Sequence, residues 1–193
     1  MTPATDRKDL KFMLLLASLC ALLLIMTRAA IGERAEISLR SVDAILQIAG
    51  EETLPVEDQL LDRFNQLFTR RAGGRIKFWQ GSRRPELWAC EATGNGMWAE
   101  ITLVFIIDTR TGRLQGLRVV EQNETAGLGS LITDENFSEK FTGLNAAAGV
   151  ALASFKALDN QFDAVTGATT SSKAVEKILN RALTELKKLR GAA

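Results

Sequence analysis

Histidine is absent from this sequence of 193 residues, and cysteine occurs only twice, as Cys20 and Cys90. Without imidazole side chains, histidine metal sites, bis-histidine haem ligation and the usual proton shuttle at neutral pH are excluded. Two cysteines alone cannot ligate an iron–sulfur cluster or a structural zinc ion. Any redox chemistry would therefore need an organic cofactor or a metal site shared with another subunit, and no metal site or catalytic residue is expected in this chain.

The sequence also lacks an excess of charge. Its 24 basic and 23 acidic side chains give a net charge of +1, without a long run of either sign. Nucleic acid is not expected as a partner, because phosphate contacts need a basic surface. The content of 46% hydrophobic and 24% charged residues is typical of a globular domain, although part of the apolar content lies in one block.

That block is Phe12–Met26, FMLLLASLCALLLIM, which carries no charge. Extended to residues 12–31, it reaches the roughly 20 residues that a bilayer-spanning helix requires. A cleaved signal peptide and a lipoprotein signal are the alternatives. The sequence around Arg28 is a poor cleavage site, and Leu19 precedes Cys20 where a lipoprotein needs a small residue. The pattern therefore favours a retained transmembrane anchor in the lipid bilayer.

The basic residues on either side of this stretch predict its orientation. Arg7, Lys8 and Lys11 precede it, whereas Arg28 and Arg34 follow it. The excess on the N-terminal side favours a cytoplasmic N-terminus. The expected organisation is a single-pass protein of the inner or cytoplasmic membrane: residues 1–11 in the cytoplasm, 12–31 as the anchor, 32–72 as juxtamembrane helices and 73–193 as a domain on the periplasmic side.

Hydrophobic periodicity predicts an α+β fold, with a curved, mostly antiparallel sheet and packed helices beside the transmembrane helix. Helical spacing favours helices over residues 32–49, 57–71, 137–141 and 173–189. Alternation of apolar and polar residues favours strands over residues 75–79, 86–90, 98–107, 114–122 and 150–155, with a turn at 108–113. Four residues within these strand patterns are expected in the core: Trp79, Trp88, Trp98 and Cys90.

Residues 163–172, DAVTGATTSS, gather short hydroxyl side chains after one glycine and directly before the last predicted helix. Gly167 permits close approach to the main chain. Thr169 to Ser172 occupy positions where a helix N-cap is expected, and Thr170 and Ser171 are the best capping candidates. Since a helix N-terminus favours phosphate, a phosphate bound or esterified to one of these hydroxyls would be stabilised. The alternative is a polar turn followed by a capped helix.

Two further stretches are rich in glycine. GNGMWA, residues 94–99, precedes the longest predicted strand, and EQNETAGLG, residues 121–129, follows the predicted hairpin. Glycines beside an apolar side chain allow a loop to lie flat against an aromatic ring. Such loops can also be ordinary turns, because glycine and asparagine populate turns anyway.

In this order behind a predicted anchor, the three stretches resemble the FMN-binding domain family. TGAT after an aspartate is similar to the family's flavinylation motif, and ETAGLG is similar to its ETPGLG loop, with Ala126 where proline usually stands. Members of the family are RnfG of the Rnf complexes and NqrC of the sodium-translocating NADH:quinone reductase. The resemblance implies that residues 73–193 form an FMN-binding domain.

The resemblance also implies roles for individual residues. Thr169 would be the acceptor of a covalent FMN phosphoester, and Asp163 would belong to the sequence read by a flavin transferase. Other residues expected around the attachment point are Thr166, Gly167, Ala168, Thr170 and Lys173. The residues expected to lie against the isoalloxazine ring are Glu124, Thr125, Gly127, Leu128, Gly129, Gly96, Met97 and Trp98.

The function implied is that of a membrane-anchored electron-transfer subunit in an ion-translocating oxidoreductase, with no independent catalysis. RnfG is favoured over NqrC, and the implied partners are the other membrane subunits and a flavin transferase. One alternative is a membrane-anchored sensor or assembly module that binds FMN or another phosphate ligand without redox turnover. Another is an anchored enzyme that reduces a small substrate.

Overall fold

The computed structural model describes residues 7–31, 37–51, 57–72, 76–154 and 157–191. Contacts divide the chain into two units, Met1–Glu36 and Ile37–Ala193. The first unit contains helix α1, Arg7–Ile31, on which Phe12 and Leu15 are exposed. No helix within these described ranges combines the length and the apolar character needed to cross a membrane. The transmembrane anchor therefore stays a prediction.

The second unit is built on a five-stranded antiparallel sheet whose strands follow one another in chain order. Its strands are β1 (Phe68–Ala72), β2 (Ile76–Gly81), β3 (Leu87–Asn95), β4 (Glu100–Asp108) and β5 (Arg113–Glu121). The sequence pattern predicts β2 to β5 to within a few residues, except that β3 runs on to Asn95. These four strands meet as successive hairpins, so each turn lies at an edge of the sheet where it can contribute to a site.

Strand β1 corrects the helix predicted for residues 57–71. Helix α3 covers only Glu57–Leu67, and Phe68 begins a strand that pairs with the far end of β2. Phe68 is buried, and its ring lies 5.5 Å from that of Phe64, measured between centroids. The pairing with β2 and the burial of Phe68 override the helical spacing of this segment.

One face of the sheet is covered by the C-terminal helix α5, Thr169–Gly191. Its buried stripe is the predicted one: Val175, Ile178, Leu179, Ala182, Leu183 and Leu186. From β3, Trp88 and Cys90 pack on this side, and burial raises the pKa of the Cys90 thiol well above its usual value. Full burial of each large apolar side chain contributes about 1.5–3 kcal/mol, so this layer dominates the stability of the unit.

The opposite face is covered by α3 and by helix α2, Leu39–Ile48. Helix α2 begins after Ser38, whose hydroxyl accepts the N–H of Ser41 at 3.1 Å. Trp79 and Val104 face these helices. Because both faces are covered, β4 is buried along nearly its whole length. The α+β fold with an antiparallel sheet and packed helices is confirmed.

A group of short segments leads from the sheet to helix α5. They are a 3-10 turn (Gly129–Thr133), helix α4 (Glu135–Ser138), a second 3-10 turn (Glu139–Phe141), and the parallel pair β6 (Ala151–Leu152) and β7 (Gln161–Phe162). The strand predicted over residues 150–155 is thus only two residues long. The rings of Phe141 and Phe162 lie 4.7 Å apart between centroids, and both are fully buried. This contact fixes the chain just before residues 163–168, which lead into helix α5.

Candidate cofactor site

Three loops meet at one end of the sheet and enclose a cavity of about 360 Å³. They are the tip of the β3–β4 hairpin, the segment after β5 and the first turn of α5. The lining residues are Met97, Trp98, Glu124, Thr125, Leu128, Gly129, Gly167, Ala168, Thr169, Thr170 and Ser171. A larger cavity of about 630 Å³ includes no residue of the hairpin tip or of helix α5. The smaller cavity is the candidate site, because all three motif stretches converge there.

The buried side chain of Glu124 joins the three loops. Its Oε1 atom accepts the backbone N–H groups of Met97 at 2.9 Å and Trp98 at 3.2 Å. Its Oε2 atom accepts the hydroxyl of Ser171 at 2.5 Å. Burial raises the pKa of Glu124, but the bonds from Ser171 and the two amides outweigh it and hold the pKa below its ordinary value. Glu124 is therefore a carboxylate at neutral pH.

Glycine is required by close packing at several points around this carboxylate. A Cβ atom at Gly129 would lie 2.7 Å from Ser171 Oγ and 2.8 Å from Glu124 Cβ. A Cβ atom at Gly96 would overlap Glu124 Oε1 and lie 2.8 Å from the carbonyl oxygen of Ala99. At Gly167, φ is +81° and a Cβ atom would lie 2.9 Å from Leu128 Cδ2. The glycines of the three stretches thus serve a single packed junction.

Three apolar side chains at the cavity are exposed to solvent: Trp98 (69%), Met97 (56%) and Leu128 (49%). The sequence pattern places Trp98 in the core with Trp79 and Trp88, which are indeed buried. The prediction is wrong for Trp98 because β4 begins only at Glu100, so Trp98 lies on the hairpin tip. Exposed aromatic and aliphatic groups beside a polar cavity are suited to the faces of a planar ring.

The hydroxyls of DAVTGATTSS fall into two classes. Thr169 and Thr170 are exposed, whereas Ser171 and Ser172 are buried. Helix α5 begins at Thr169, four residues before the predicted start, because the carbonyl of Ala168 already accepts the N–H of Ser172 at 2.8 Å. The capping role predicted for Thr170 and Ser171 is therefore wrong, since both lie inside the first turn.

The first turn of α5 instead directs its polar groups to different partners. Ser171 donates to Glu124, and Ser172 Oγ accepts the N–H of Val165 at 3.3 Å. Within the described part of the chain, no acceptor bonds the N–H groups of Thr169 and Thr170. Free amides at a helix N-terminus, together with the positive end of the helix dipole, favour a phosphate.

Several residues expected at the site lie outside the cavity lining: Gly96, Gly127, Thr166, Asp163 and Lys173. Asp163 accepts the ammonium group of Lys140 at 2.9 Å. Gly127 has φ of +72°, and a Cβ atom there would meet nothing within 4 Å. Sequence reasoning missed the bond from Ser171 to Glu124, because no local pattern signals a contact across 47 residues.

Comparison with known proteins identifies relatives with related motifs. Residues 96–184 match the model of the FMN-binding domain. The chain is 33% identical over 90 residues to the C-type subunit of the Na⁺-translocating NADH-quinone reductase of Haemophilus ducreyi. It is 37% identical over 83 residues to the G-type subunit of the ion-translocating oxidoreductase complex of Methanosarcina acetivorans. Each alignment covers 43% of this chain, and they span only 35% and 42% of the two relatives.

Two solved structures have a similar fold. NqrC of Parabacteroides distasonis superposes with a TM-score of 0.61 over 77% of this chain and 92% of that chain, at 20% identity. Shewanella oneidensis NqrC gives a TM-score of 0.62 over 80% of this chain and 100% of that chain, at 13% identity. The resemblance of this protein to the FMN-binding domain family is thereby confirmed for residues 96–184.

Proposed function

We propose that this chain is an electron-transfer subunit of an ion-translocating oxidoreductase complex of the Rnf/Nqr type and carries covalently bound FMN. The observation that carries the proposal is the single cavity at which all three family motifs converge. The two curated relatives are named as subunits of ion-translocating complexes, which favours this function over a sensor without redox turnover.

The cavity residues fit FMN at both ends of the molecule. The phosphate end is served by the free amides of Thr169 and Thr170 and by the dipole of helix α5. The ring end is served by the exposed side chains of Met97, Trp98 and Leu128. FMN, when bound, supplies the electron-carrying chemistry. The protein binds the phosphate, orients the ring and leaves one side open for close approach of another redox centre.

Thr169 is the proposed attachment residue. Ser171 and Ser172 are buried and already hydrogen-bonded, which argues against both as acceptors. Thr166 lies outside the cavity lining. Thr169 and Thr170 remain, and Thr169 occupies the acceptor place in the family motif. A phosphoester on its Oγ1 atom would place the phosphate at the first turn of α5.

The attachment is tested by making variants together with a flavin transferase and viewing denaturing gels under ultraviolet light. Thr169→Ala should give a folded protein without a fluorescent band, whereas Thr170→Ala should keep the band. Thr184→Ala, an exposed threonine on the same helix, is the matched control. A fluorescent band in Thr169→Ala, or its loss in Thr170→Ala, contradicts the assignment.

The finer proposal is an RnfG-like subunit, favoured by the short chain and by the sequence DAVTGATTSSKAV. It includes an anchor over residues 12–31 in the inner membrane and a periplasmic domain. Ser82 is exposed and Cys90 is buried, so Ser82→Cys in a Cys20→Ala background provides one accessible thiol. It should react with a membrane-impermeant reagent in intact cells; reaction only after lysis contradicts this orientation.

A further inference from the structure

We infer that Glu124 is a positioning residue: its carboxylate assembles the cavity, by joining the hairpin tip to helix α5, before any cofactor is present. The inference deepens the proposed function, since it rests on the cavity being the FMN site. The resemblance implies that Glu124 lies against the ring. In the structure, both carboxylate oxygens are directed at protein donors instead.

The hairpin tip has few other attachments. Its turn is closed by a bond from the N–H of Gly96 to the carbonyl of Ala99 at 2.7 Å, which holds the turn together but not against the rest of the protein. The side chains of Met97 and Trp98 are mostly exposed, so their burial does not hold the tip either. The amide bonds to Glu124 are therefore the main polar link between the tip and the neighbouring loop.

Ser171 connects the same carboxylate to the helix that carries Thr169. Its hydroxyl is buried and donates to Glu124 Oε2, two residues after Thr169. Hydrogen bonds to an ionised acceptor are roughly twice as strong as neutral ones. The position of Trp98 relative to Thr169 is thus set through one side chain, although those two residues do not need to touch.

The packing leaves no space for another arrangement of this side chain. Gly96 and Gly129 both lack the Cβ atom that would collide with Glu124 or with Ser171. Glu124 is also fixed from its own side, because its backbone N–H donates to the side-chain oxygen of Gln122 at 2.6 Å. The carboxylate is therefore held in place by residues that precede it, oppose it and follow it along the chain.

The test is amide hydrogen exchange at Met97 and Trp98 in the full-length protein, purified in detergent without a flavin transferase and without FMN. Ser171→Ala should speed exchange at these two amides by about tenfold, because it removes a bond to a charged group. Ser172→Ala is the matched control: it removes a buried hydroxyl from the same turn, but its partner is Val165. It should leave exchange at Met97 and Trp98 unchanged.

Glu124 itself supplies the second arm. Glu124→Ala should speed exchange at both amides more than Ser171→Ala does, and Glu124→Gln should restore part of the protection because it retains an acceptor oxygen. If Glu124→Ala fails to fold, Ser171→Ala and Glu124→Gln carry the test. Unchanged exchange in Ser171→Ala, or an equal increase in Ser172→Ala, overturns the inference. Neither result concerns the proposed function, which instead fails if the wild type binds no FMN.

Discussion

Asp108 and Glu124 each accept two successive backbone N–H groups on one carboxylate oxygen. Asp108 Oδ1 accepts those of Arg110 at 2.8 Å and Thr111 at 3.2 Å, within its own turn. Glu124 Oε1 accepts those of Met97 at 2.9 Å and Trp98 at 3.2 Å, which lie 27 and 26 residues away. The two carboxylates are about equally buried, and both have a lowered pKa.

The difference lies in what each carboxylate joins. Asp108 closes the β4–β5 turn with atoms of that turn alone, so the result is a local structure. Glu124 joins the β3–β4 turn to a second loop and, through Ser171, to a helix. A concave site requires segments that are distant in sequence, and the long-range carboxylate supplies their connection. The same bonding pattern thus builds a turn in one place and a candidate site in the other.

The largest expected effect separates Glu124→Ala from Asp108→Ala. Glu124→Ala should lose most of its bound FMN, because the hairpin tip and helix α5 are no longer connected. It also leaves the buried hydroxyl of Ser171 without an acceptor, at a cost of about 1–3 kcal/mol. Asp108→Ala should keep its FMN and lose only stability, since water can reach the exposed residues Arg110 and Thr111. Flavin absorbance per protein checks this, and equal FMN content in the two variants contradicts it.

A smaller effect is expected from glycine substitutions near and far from Glu124. Gly129→Ala places a Cβ atom 2.7 Å from Ser171 Oγ, so the visible spectrum of bound flavin should change as the cavity shifts. Gly143→Ala meets open space but has φ of +75°, so it should cost about 1–2 kcal/mol of stability through backbone strain. Its flavin spectrum should stay as in the wild type. Identical spectra in both variants would show that Gly129 does not shape the site.

The smallest effect concerns pH. Because the folded pKa of Glu124 is lowered, its stabilisation is fully present above the unfolded pKa of about 4.3 and is lost as pH falls through the folded value. Glu124→Gln lacks this titration, so the stability difference between wild type and variant should shrink as pH decreases from 6 to 3. Denaturant unfolding at each pH measures it. A difference that stays constant with pH contradicts an ionised Glu124 link.

Local signals explain which features the sequence predicts correctly. The apolar stripe from Val175 to Leu186 repeats at helical spacing, and the turn at Asp108 is formed by neighbouring residues. The three stretches around Thr169, Gly127 and Met97 are recognisable because their motifs are continuous in sequence. Each of these features depends on contacts within a few residues or on an uninterrupted motif.

The features that the sequence misses depend on distant partners. Strand β1 forms because β2 offers a free edge and the core buries Phe68, although its spacing is that of a helix. Ser171 resembles a helix cap until its bond to Glu124 is seen. Trp98 alternates like a strand residue, yet the link from its N–H to Glu124 keeps it on the hairpin tip. Tertiary contacts decide all three cases.

The central claim is that FMN is attached to Thr169 at the first turn of helix α5, and peptide mapping tests it most directly. Trypsin cleavage after Lys156 and Lys173 releases residues 157–173, which include the candidate hydroxyls Thr166, Thr169, Thr170, Ser171 and Ser172. Fragmentation of this peptide, from protein made with a flavin transferase, should locate the mass of an FMN phosphoester on Thr169. An unmodified peptide, or FMN on any other residue, would contradict the account.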